Sequence, residues 1–159
     1  MREKAKKIKA FIMDVDGTLT DGKIYIGDKG EVFKAFNVKD GYGIKMLIEN
    51  GITPIIITGR NSEIVKKRAE ELNIKEVYQG IDNKVETYEQ IKLNLGLKDE
   101  EFAFVGDDLN DYALMEKVGL KLVVNNCSEE LVKIADYQSS LNGGEGAVRD
   151  VINRLLTAK

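Results

Sequence analysis

Short apolar runs alternate with helical patterns along this chain, and this order limits its fold more than any other feature. Residues 8–15, 53–58 and 101–105 are each largely apolar, as expected for strands that are buried on both faces. Between them, apolar residues recur every three or four positions, which is typical of helices that pack on a sheet. The alternation predicts an α/β fold in which helices flank a mostly parallel, Rossmann-like sheet.

Turn and cap residues define the other elements. The sequence Gly-Asp-Lys-Gly at 27–30 lies between two strand-like segments and predicts a β-hairpin over about residues 23–36. Asp82 and Ser128 are expected to cap two of the helices. Further strands are expected at 76–79, 120–124 and 136–138, and helices around 44–48, 64–72, 82–95, 109–118, 128–134 and 147–156. Because the chain has 159 residues and no linker-like tract, we expect a single domain over 1–159.

Composition excludes several kinds of partner and chemistry. The net charge of −3 offers no basic surface for nucleic acid or an anionic membrane, and no apolar run approaches the roughly 18 residues of a membrane span. The single Cys127 cannot form an internal disulfide, which is expected of a cytoplasmic protein. The chain has no His, which excludes a His-based triad and His-ligated zinc. Acid–base chemistry near neutral pH must therefore come from carboxylates, Lys or Tyr.

Two carboxylates, Asp14 and Asp16, end the first predicted strand and precede a glycine. The two-residue period of a strand places both on the same side of the chain. Carboxylates so close together repel each other unless a cation lies between them, and Mg²⁺ prefers such oxygen ligands. The simpler interpretation is a strand that runs into an Asp-Gly turn.

Other polar residues also follow the ends of predicted strands. Thr58, Gly59 and Arg60 end the second strand of the predicted sheet, and Lys84 begins a helix after a Gly turn. Asp107 and Asp108 follow the strand at 101–105, and Asp111 comes one helical turn later. Because ligands bind at the carboxyl ends of the strands in open parallel sheets, we expect all these side chains at one edge.

These residue types match the chemistry of phosphoryl transfer. A carboxylate can attack phosphorus and form an acyl phosphate, and a second carboxylic acid can exchange protons with the leaving group and with water. A Mg²⁺ ion and a Lys neutralise the transferred charge, while a Thr hydroxyl and backbone amides bind phosphate oxygens. Taken singly, Thr58 could be a turn residue, Lys84 a solvated lysine, Asp107 and Asp108 helix caps, and Asp111 a partner of the helix dipole. Their joint placement favours a shared site.

The same motifs resemble those of the haloacid dehalogenase superfamily, in its phosphatase branch. The resemblance rests on D-x-D-G-T at 14–18, I-I-T-G-R at 56–60, Lys84, and G-D-D-x-x-D at 106–111. It implies Asp14 as nucleophile and Asp16 as general acid/base. It implies Thr58 and Lys84 as phosphate binders. It also implies Mg²⁺ held by Asp14, the Asp16 backbone carbonyl and Asp107, with support from Asp108 and Asp111. Independently of the resemblance, the turn at Gly17 and Thr18 and the backbone at Gly59 are expected to direct amides at the phosphate.

Longer segments at 14–22, 30–36, 39–47 and 143–150 are similar to phosphatases of acidic sugar phosphates with eight or nine carbons. They are also similar to the phosphatase-like tail of sialic acid cytidylyltransferases. The resemblance implies a small-molecule sugar phosphate as substrate, the eight-carbon compound first. Thr18 is a departure, since many members carry Val at this position. Arg60 and Arg68 are candidates to bind the substrate carboxylate, because the guanidinium fork suits that group.

No cap domain fits in this sequence. The residues between Asp16 and Thr58 suffice for the hairpin and one helix, and those between Thr58 and Lys84 for a helix and a short strand. A neighbouring subunit could therefore cover the site. The hairpin carries more apolar side chains than it should leave in water, and the resemblance implies a homotetramer with hairpins at the interface. Alternatively, the hairpin packs on its own sheet.

Two other classes of function compete with a phosphatase. A receiver-type signalling domain also places acids, a Thr and a Lys around Mg²⁺ on a parallel sheet. A receiver has no need of Asp16, however, and its phosphorylated Asp lies on a middle strand rather than the first. A non-enzymatic scaffold, such as the tail of a larger synthetase, would have no use for Asp16, Lys84 and Asp107 together. The sequence therefore favours the phosphatase.

Overall fold

The computed structural model describes residues 1–159, and six parallel strands form its central sheet. The strand order is β5-β4-β1-β6-β7-β8, with a separate antiparallel pair formed by β2 and β3. The strands are β1 (Ala10–Met13), β2 (Tyr25–Gly27), β3 (Gly30–Phe33), β4 (Thr53–Ile57), β5 (Glu76–Tyr78), β6 (Phe102–Gly106), β7 (Leu120–Val123) and β8 (Tyr137–Gln138). The predicted α/β fold with a hairpin after the first strand and no cap domain is confirmed.

Seven α-helices surround the sheet. They are α1 (Arg2–Lys7), α2 (Val38–Glu49), α3 (Glu63–Glu71), α4 (Lys84–Leu95), α5 (Tyr112–Lys117), α6 (Glu129–Ile134) and α7 (Ala147–Ala158). Single 3₁₀ turns precede β6 and α5, at Asp99–Glu101 and Leu109–Asp111. None of the helices is both long and apolar enough to cross a membrane.

Side chains of the sheet alternate between two hydrophobic layers. In β1, Phe11 and Met13 belong to the layer beneath α1, α2, α3 and α7, whereas Ala10 and Ile12 belong to the layer beneath α4, α5 and α6. All four residues are fully buried, as predicted for a strand with both faces covered. The Phe, Ile and Met side chains each contribute roughly 1.5–3 kcal/mol when removed from water, so β1 anchors both layers of the core.

The position of β1 determines where the site forms. It pairs with β4 on one side and with β6 on the other, so successive crossovers leave it in opposite directions. A crevice opens beyond the carboxyl ends of the strands at such a switch point. The loops that follow β1, β4 and β6 therefore surround one cleft.

The hairpin stands apart from the main sheet. Its strands pair Gly27 with Gly30, which leaves a two-residue turn, and the rings of Tyr25 and Phe33 stack at 4.2 Å. The side chain of Ile26 is 71% exposed and that of Val32 is 59% exposed. The alternative in which the hairpin buries its apolar side chains on its own sheet therefore does not hold for these residues.

Three local predictions need correction. The side chain of Asn83, not Asp82, caps α4 by accepting from the amides of Val85 and Glu86. Ser128 occupies the cap position of α6, but its hydroxyl is buried and makes no cap hydrogen bond. Helix α1 was not predicted, because its sequence is almost entirely charged and only Ala5 is buried.

Candidate active site

A polar cleft lies at the carboxyl ends of β1, β4 and β6. Its lining includes most of the residues that the sequence singles out, together with one that it does not. The lining residues are Asp14, Asp16, Thr58, Gly59, Arg60, Asp107, Asp108 and Asn110. Asn110 occupies a variable position of the last motif, so no signal in the sequence distinguishes it. The crevice predicted from the strand order therefore contains most of the predicted side chains.

Lys84 connects two of the carboxylates beneath this cleft. Its ammonium lies 2.9 Å from Asp14 Oδ1 and 2.6 Å from Asp111 Oδ1. The three side chains are at most 6% exposed. Asn83 caps α4 directly before Lys84, so the first residue of the helix provides the ammonium. Lys84 is therefore a structural part of the cleft and not a solvated lysine.

Burial and charge repulsion change the proton affinity of this cluster. Burial, followed by the charge of Asp111, raises the pKa of Asp14 to about 6 although Lys84 opposes the shift. Burial and the charges of Asp14 and Asp111 raise the pKa of Asp107 to about 8. Burial alone would lower the pKa of Lys84, but Asp14 and Asp111 outweigh it and raise the value. The cluster thus carries more negative charge than one ammonium can neutralise.

A divalent cation would balance this excess charge. One carboxylate oxygen from each of Asp14, Asp107 and Asp111 lies within 4.8 Å of the others. Asp111 is already occupied, since Oδ1 accepts from Lys84 and Oδ2 accepts from the amides of Asp107 and Asp108. Asp14 and Asp107 each keep one oxygen without a side-chain donor, and the supporting role of Asp111 stays a prediction that these contacts favour. An all-oxygen donor set of this kind fits Mg²⁺.

Gly17 allows the loop after β1 to approach Asp107. Its φ of +89° is a conformation that favours glycine. A Cβ at this position would lie 2.0 Å from Asp107 Oδ2. The Gly17 carbonyl in turn faces Gly143, where a Cβ would lie 1.8 Å from the oxygen. Both glycines are required by close packing around the cleft, and the role of Gly143 was not predicted.

Thr18 has a different role from the predicted one. It is fully buried, and its hydroxyl donates to Asp107 Oδ1 at 2.9 Å. Its amide donates to the Val15 carbonyl, so it is used within the loop. Thr18 therefore orients a candidate metal ligand, and the prediction that it contacts phosphate directly has no support from this geometry.

Asp16 has a partner that the sequence interpretation missed. Lys34, at the end of the hairpin, lies 2.6 Å from Asp16 Oδ1 and 2.8 Å from Glu31 Oε1. The Lys34 side chain is only 2% exposed. A Glu and a Lys three residues apart within an apolar hairpin are the signal that could have identified this contact.

The loop after β4 places Thr58, Gly59 and Arg60 along the cleft as predicted. Thr58 is nearly buried, and its backbone is fixed by hydrogen bonds to Tyr78 and Ile81. Arg60 is exposed, so its guanidinium is available to a ligand in the cleft. Their roles in binding substrate stay predictions.

Arg68 does not reach the cleft. Its guanidinium pairs with Glu71 at 2.8 Å and lies 5.7 Å from the centre of the Phe36 ring. Helix α3 begins after Ser62 and runs away from the sheet edge, so six residues carry Arg68 about 9 Å from the helix start. Arg68 therefore does not line the cleft of its own subunit, and its contact with the substrate carboxylate stays a prediction.

Comparison with known proteins agrees with this architecture. Residues 75–152 match the haloacid dehalogenase-like hydrolase family. The 3-deoxy-D-manno-octulosonate 8-phosphate phosphatase KdsC of Escherichia coli K12 is 46% identical, over 98% of this chain and 83% of that protein. The crystal structure of the Yersinia pestis phosphatase superposes with a TM-score of 0.96 at 42% identity, covering 99% of this chain and 85% of that one.

A further solved structure adds information on ligands. The 3-deoxy-D-manno-octulosonate 8-phosphate phosphatase of Moraxella catarrhalis, in complex with magnesium, phosphate and KDO, has a TM-score of 0.96 and 41% identity. The alignment covers 99% of this chain and 91% of that chain. Identity of this level over nearly the whole sequence, with the same fold, shows common descent. The chain belongs to the haloacid dehalogenase-like hydrolases, within the phosphatase family that these relatives represent.

Proposed function

We propose that this enzyme hydrolyses 3-deoxy-D-manno-octulosonate 8-phosphate to 3-deoxy-D-manno-octulosonate and phosphate, a step of lipopolysaccharide precursor synthesis. One observation carries the proposal: Asp14 is held by Lys84 at the centre of the cleft, and Asp16 lines the same cleft two residues later. A nucleophile and an acid/base on one rigid strand end are what two-step phosphoryl transfer requires.

The first step transfers the phosphoryl group to the enzyme. A carboxylate oxygen of Asp14 attacks phosphorus, and the bond between phosphorus and the sugar oxygen breaks. Asp16 gives its proton to that oxygen, so the sugar leaves as a neutral alcohol. Lys84 stays beside Asp14 and offsets the charge that gathers on the phosphoryl oxygens.

The second step releases phosphate. Asp16, now a carboxylate, takes a proton from water while the water oxygen attacks phosphorus. The bond between phosphorus and Asp14 breaks, which restores the Asp14 carboxylate and the protonated Asp16. Thr58 and the backbone after it would hold the phosphate oxygens through both steps, since this loop lines the cleft.

Asp14 and Asp107 would hold Mg²⁺ through their free oxygens, together with the Asp16 backbone carbonyl that the family resemblance implies. Bound Mg²⁺ neutralises phosphate charge and favours attack on phosphorus. The excess of carboxylates over cations around Lys84 supports this assignment. Thr18 and Asp111 would fix the orientation of the ligands.

The substrate assignment rests on the family. The relatives named above act on the eight-carbon acidic sugar phosphate, and the match covers almost the whole chain. Arg60 is the residue of this subunit best placed to meet the substrate carboxylate, since it is exposed along the cleft. A phosphatase of a nine-carbon acidic sugar is the alternative, because the same motifs serve both.

Assembly and location complete the proposal. A homotetramer built through the hairpins would cover Ile26 and Val32, which are the most exposed apolar side chains of the hairpin. It would also bring a neighbour's surface over a cleft that has no cap domain. We place the reaction in the cytoplasm, where a lone Cys127 stays reduced.

The proposal predicts the outcome of a substrate panel. Purified enzyme with Mg²⁺ is tested against sugar phosphates of six, eight and nine carbons, with phosphate release as the readout. We expect at least about a hundredfold preference in kcat/KM for the eight-carbon acid, equivalent to roughly 2.7 kcal/mol. Equal activity on all substrates would contradict the substrate assignment.

Asp14→Asn tests the mechanism. An amide cannot serve as the nucleophile, so we expect phosphate release and acid-stable acyl phosphate both to fall below detection, a loss of at least about 10⁴-fold. Glu116→Gln, an exposed carboxylate-to-amide change on α5, is the matched control and should retain full activity. Wild-type activity in Asp14→Asn would rule out the aspartyl-phosphate route.

A further inference from the structure

Lys34 joins the hairpin to the loop that carries Asp16. Its ammonium lies 2.6 Å from Asp16 Oδ1 and 2.8 Å from Glu31 Oε1. The carboxylates are 20% and 18% exposed, whereas the Lys34 side chain is 2% exposed. Burying an ammonium costs several kcal/mol unless it is paired, so these two contacts keep Lys34 in place.

Glu31 is itself anchored to the scaffold. Its Oε2 accepts a hydrogen bond from the hydroxyl of Ser62. Ser62 is the cap of α3, and its hydroxyl also accepts from the amide of Val65. A continuous chain of polar contacts therefore runs from α3 through Glu31 and Lys34 to Asp16. Because α3 follows the Thr58 loop, the chain connects the two loops that face each other across the cleft.

The contact with Lys34 makes the two carboxylate oxygens of Asp16 different from each other. Oδ1 accepts from the ammonium, and Asp16 still lines the cleft. Oδ2 is therefore the oxygen that can exchange a proton with a leaving group or with water. A free aspartate side chain would rotate among several orientations, and only a fraction of them would present this oxygen.

We propose that Lys34 is a positioning residue, which fixes the Asp16 carboxylate so that Oδ2 faces the reacting phosphoryl group. The inference rests on the proposed function, since it assigns a partner to the acid/base of that reaction. Lys34 itself does not exchange a proton or touch phosphorus. Its effect is on the turnover step, and substrate affinity is left to the Thr58 loop and Arg60.

The experiment compares Lys34→Met with Lys34→Arg and with Lys75→Met, an exposed lysine that precedes β5 outside the hairpin and serves as the control. Steady-state kinetics on 3-deoxy-D-manno-octulosonate 8-phosphate give kcat and KM. Calorimetric titration with inorganic phosphate in the presence of Mg²⁺ measures ligand binding without turnover. Thermal unfolding shows whether each variant is folded.

We expect Lys34→Met to lower kcat by about 30- to 100-fold while KM changes by less than about threefold, since a misplaced acid/base loses a large part of its contribution. Phosphate affinity should stay within about twofold of wild type. Lys34→Arg should recover much of kcat, because a guanidinium can donate to the same oxygen. Lys75→Met should match wild type.

Three results would overturn the inference. Unchanged kcat in Lys34→Met would mean that the contact only holds the hairpin. A large rise in KM with weaker phosphate binding would mean that Lys34 binds substrate directly. If the wild-type enzyme released no phosphate from any substrate, the proposed function would fail, and the inference with it.

Glu31→Gln provides a second test if Lys34→Met does not fold. The amide can still accept from Ser62, but the charge that holds Lys34 from the other side is lost. We expect a smaller fall in kcat, about three- to tenfold, at unchanged KM and phosphate affinity. Wild-type kcat in a folded Glu31→Gln variant would contradict the positioning role.

Discussion

Two buried lysines lie beside the candidate active site, and each joins a pair of carboxylates. Lys84 lies between Asp14 and Asp111, whose side chains are 6% and 0% exposed. Lys34 lies between Asp16 and Glu31, whose side chains are 20% and 18% exposed. The lysine side chains are similarly buried, at 5% and 2%, so the two clusters differ in how far their carboxylates reach water.

This difference assigns distinct tasks to similar residues. Charges that are shielded from water interact strongly, so Lys84 sets the electrostatic potential at Asp14, the proposed nucleophile. Carboxylates that are partly hydrated are screened, so Lys34 contributes orientation more than potential. Lys84 also comes from the first turn of a helix against the sheet, whereas Lys34 comes from a hairpin outside it. The comparison predicts different costs for the removal of each ammonium.

Lys84→Met should give the largest effect on stability and activity together. It leaves Asp14 and Asp111 buried without a cation, and removal of one partner from a buried pair costs about 3–5 kcal/mol. We expect the free energy of unfolding, measured with urea, to fall by roughly that amount and kcat/KM to fall at least about 10²- to 10³-fold.

The matched control for this change is Lys92→Met. Lys92 lies on the same helix and also contacts two carboxylates, Glu89 and Asp99, at the surface. Exposed pairs contribute less than about 1 kcal/mol, so this variant should stay near wild type. If Lys84→Met were no less stable than Lys92→Met, burial would not explain a difference in stability between buried and exposed lysine–carboxylate contacts.

The different settings of the lysines also explain which of them could be predicted. Lys84 follows a strand and a glycine turn and begins a helix, so sequence order alone brings it to the sheet edge. Lys34 lies beyond the hairpin strands, and only the fold of the hairpin back onto Asp16 gives it a role. Contacts of that kind depend on tertiary structure, which periodicity does not contain.

Arg68 is a predicted site residue that lies outside the cleft of its own subunit. It has the right chemistry for a carboxylate and follows the Thr58 loop in sequence, but it lies nearly two turns along α3 and faces Phe36. Asp14, Thr58 and Asp107 were located correctly because each comes directly after a buried strand. Distance along a helix, rather than residue type, separates the residues that line the cleft from Arg68.

The response to pH and Mg²⁺ sharpens the contrast between the clusters. Burial raises the pKa of Asp14 to about 6 and of Asp107 to about 8. In the metal-free protein these groups bind more protons when folded than when unfolded. Their contribution to stability is therefore fully present below about pH 4 and is lost as pH rises through about 6 and 8.

Mg²⁺ should oppose this loss, because it binds the deprotonated carboxylates. We expect the stabilisation by Mg²⁺ in urea unfolding to increase from pH 5 to pH 8 by on the order of a few kcal/mol. Asp40, whose pKa burial also raises to about 6, adds a pH dependence that Mg²⁺ leaves unchanged. Asp107→Asn should remove most of the Mg²⁺ effect, and an equal effect at both pH values would contradict the acidic-cluster assignment.

Thr18→Val should have the smallest effect of these changes. The effect should be confined to Mg²⁺ binding at the carboxylates around Lys84. The change removes the hydroxyl that donates to Asp107 Oδ1 at 2.9 Å but keeps the shape of the side chain. Loss of such an outer partner lowers metal affinity by about 10- to 100-fold. We expect the lower end, because the Asp107 backbone is held separately by Ser128 and Asp111.

Calorimetric titration with Mg²⁺ measures this change directly, and Thr18→Ser is the matched variant that keeps the hydroxyl. Thr18→Ser should bind Mg²⁺ nearly as wild type does, while Thr18→Val binds it several-fold more weakly.

A double-mutant cycle tests whether the two clusters are independent. At saturating Mg²⁺, Lys34→Met should lower kcat by the same factor in the wild-type enzyme and in the Thr18→Val enzyme, because the two clusters act on different atoms. A strong non-additive effect would show that the hairpin lysine and the metal ligands form one coupled network rather than two.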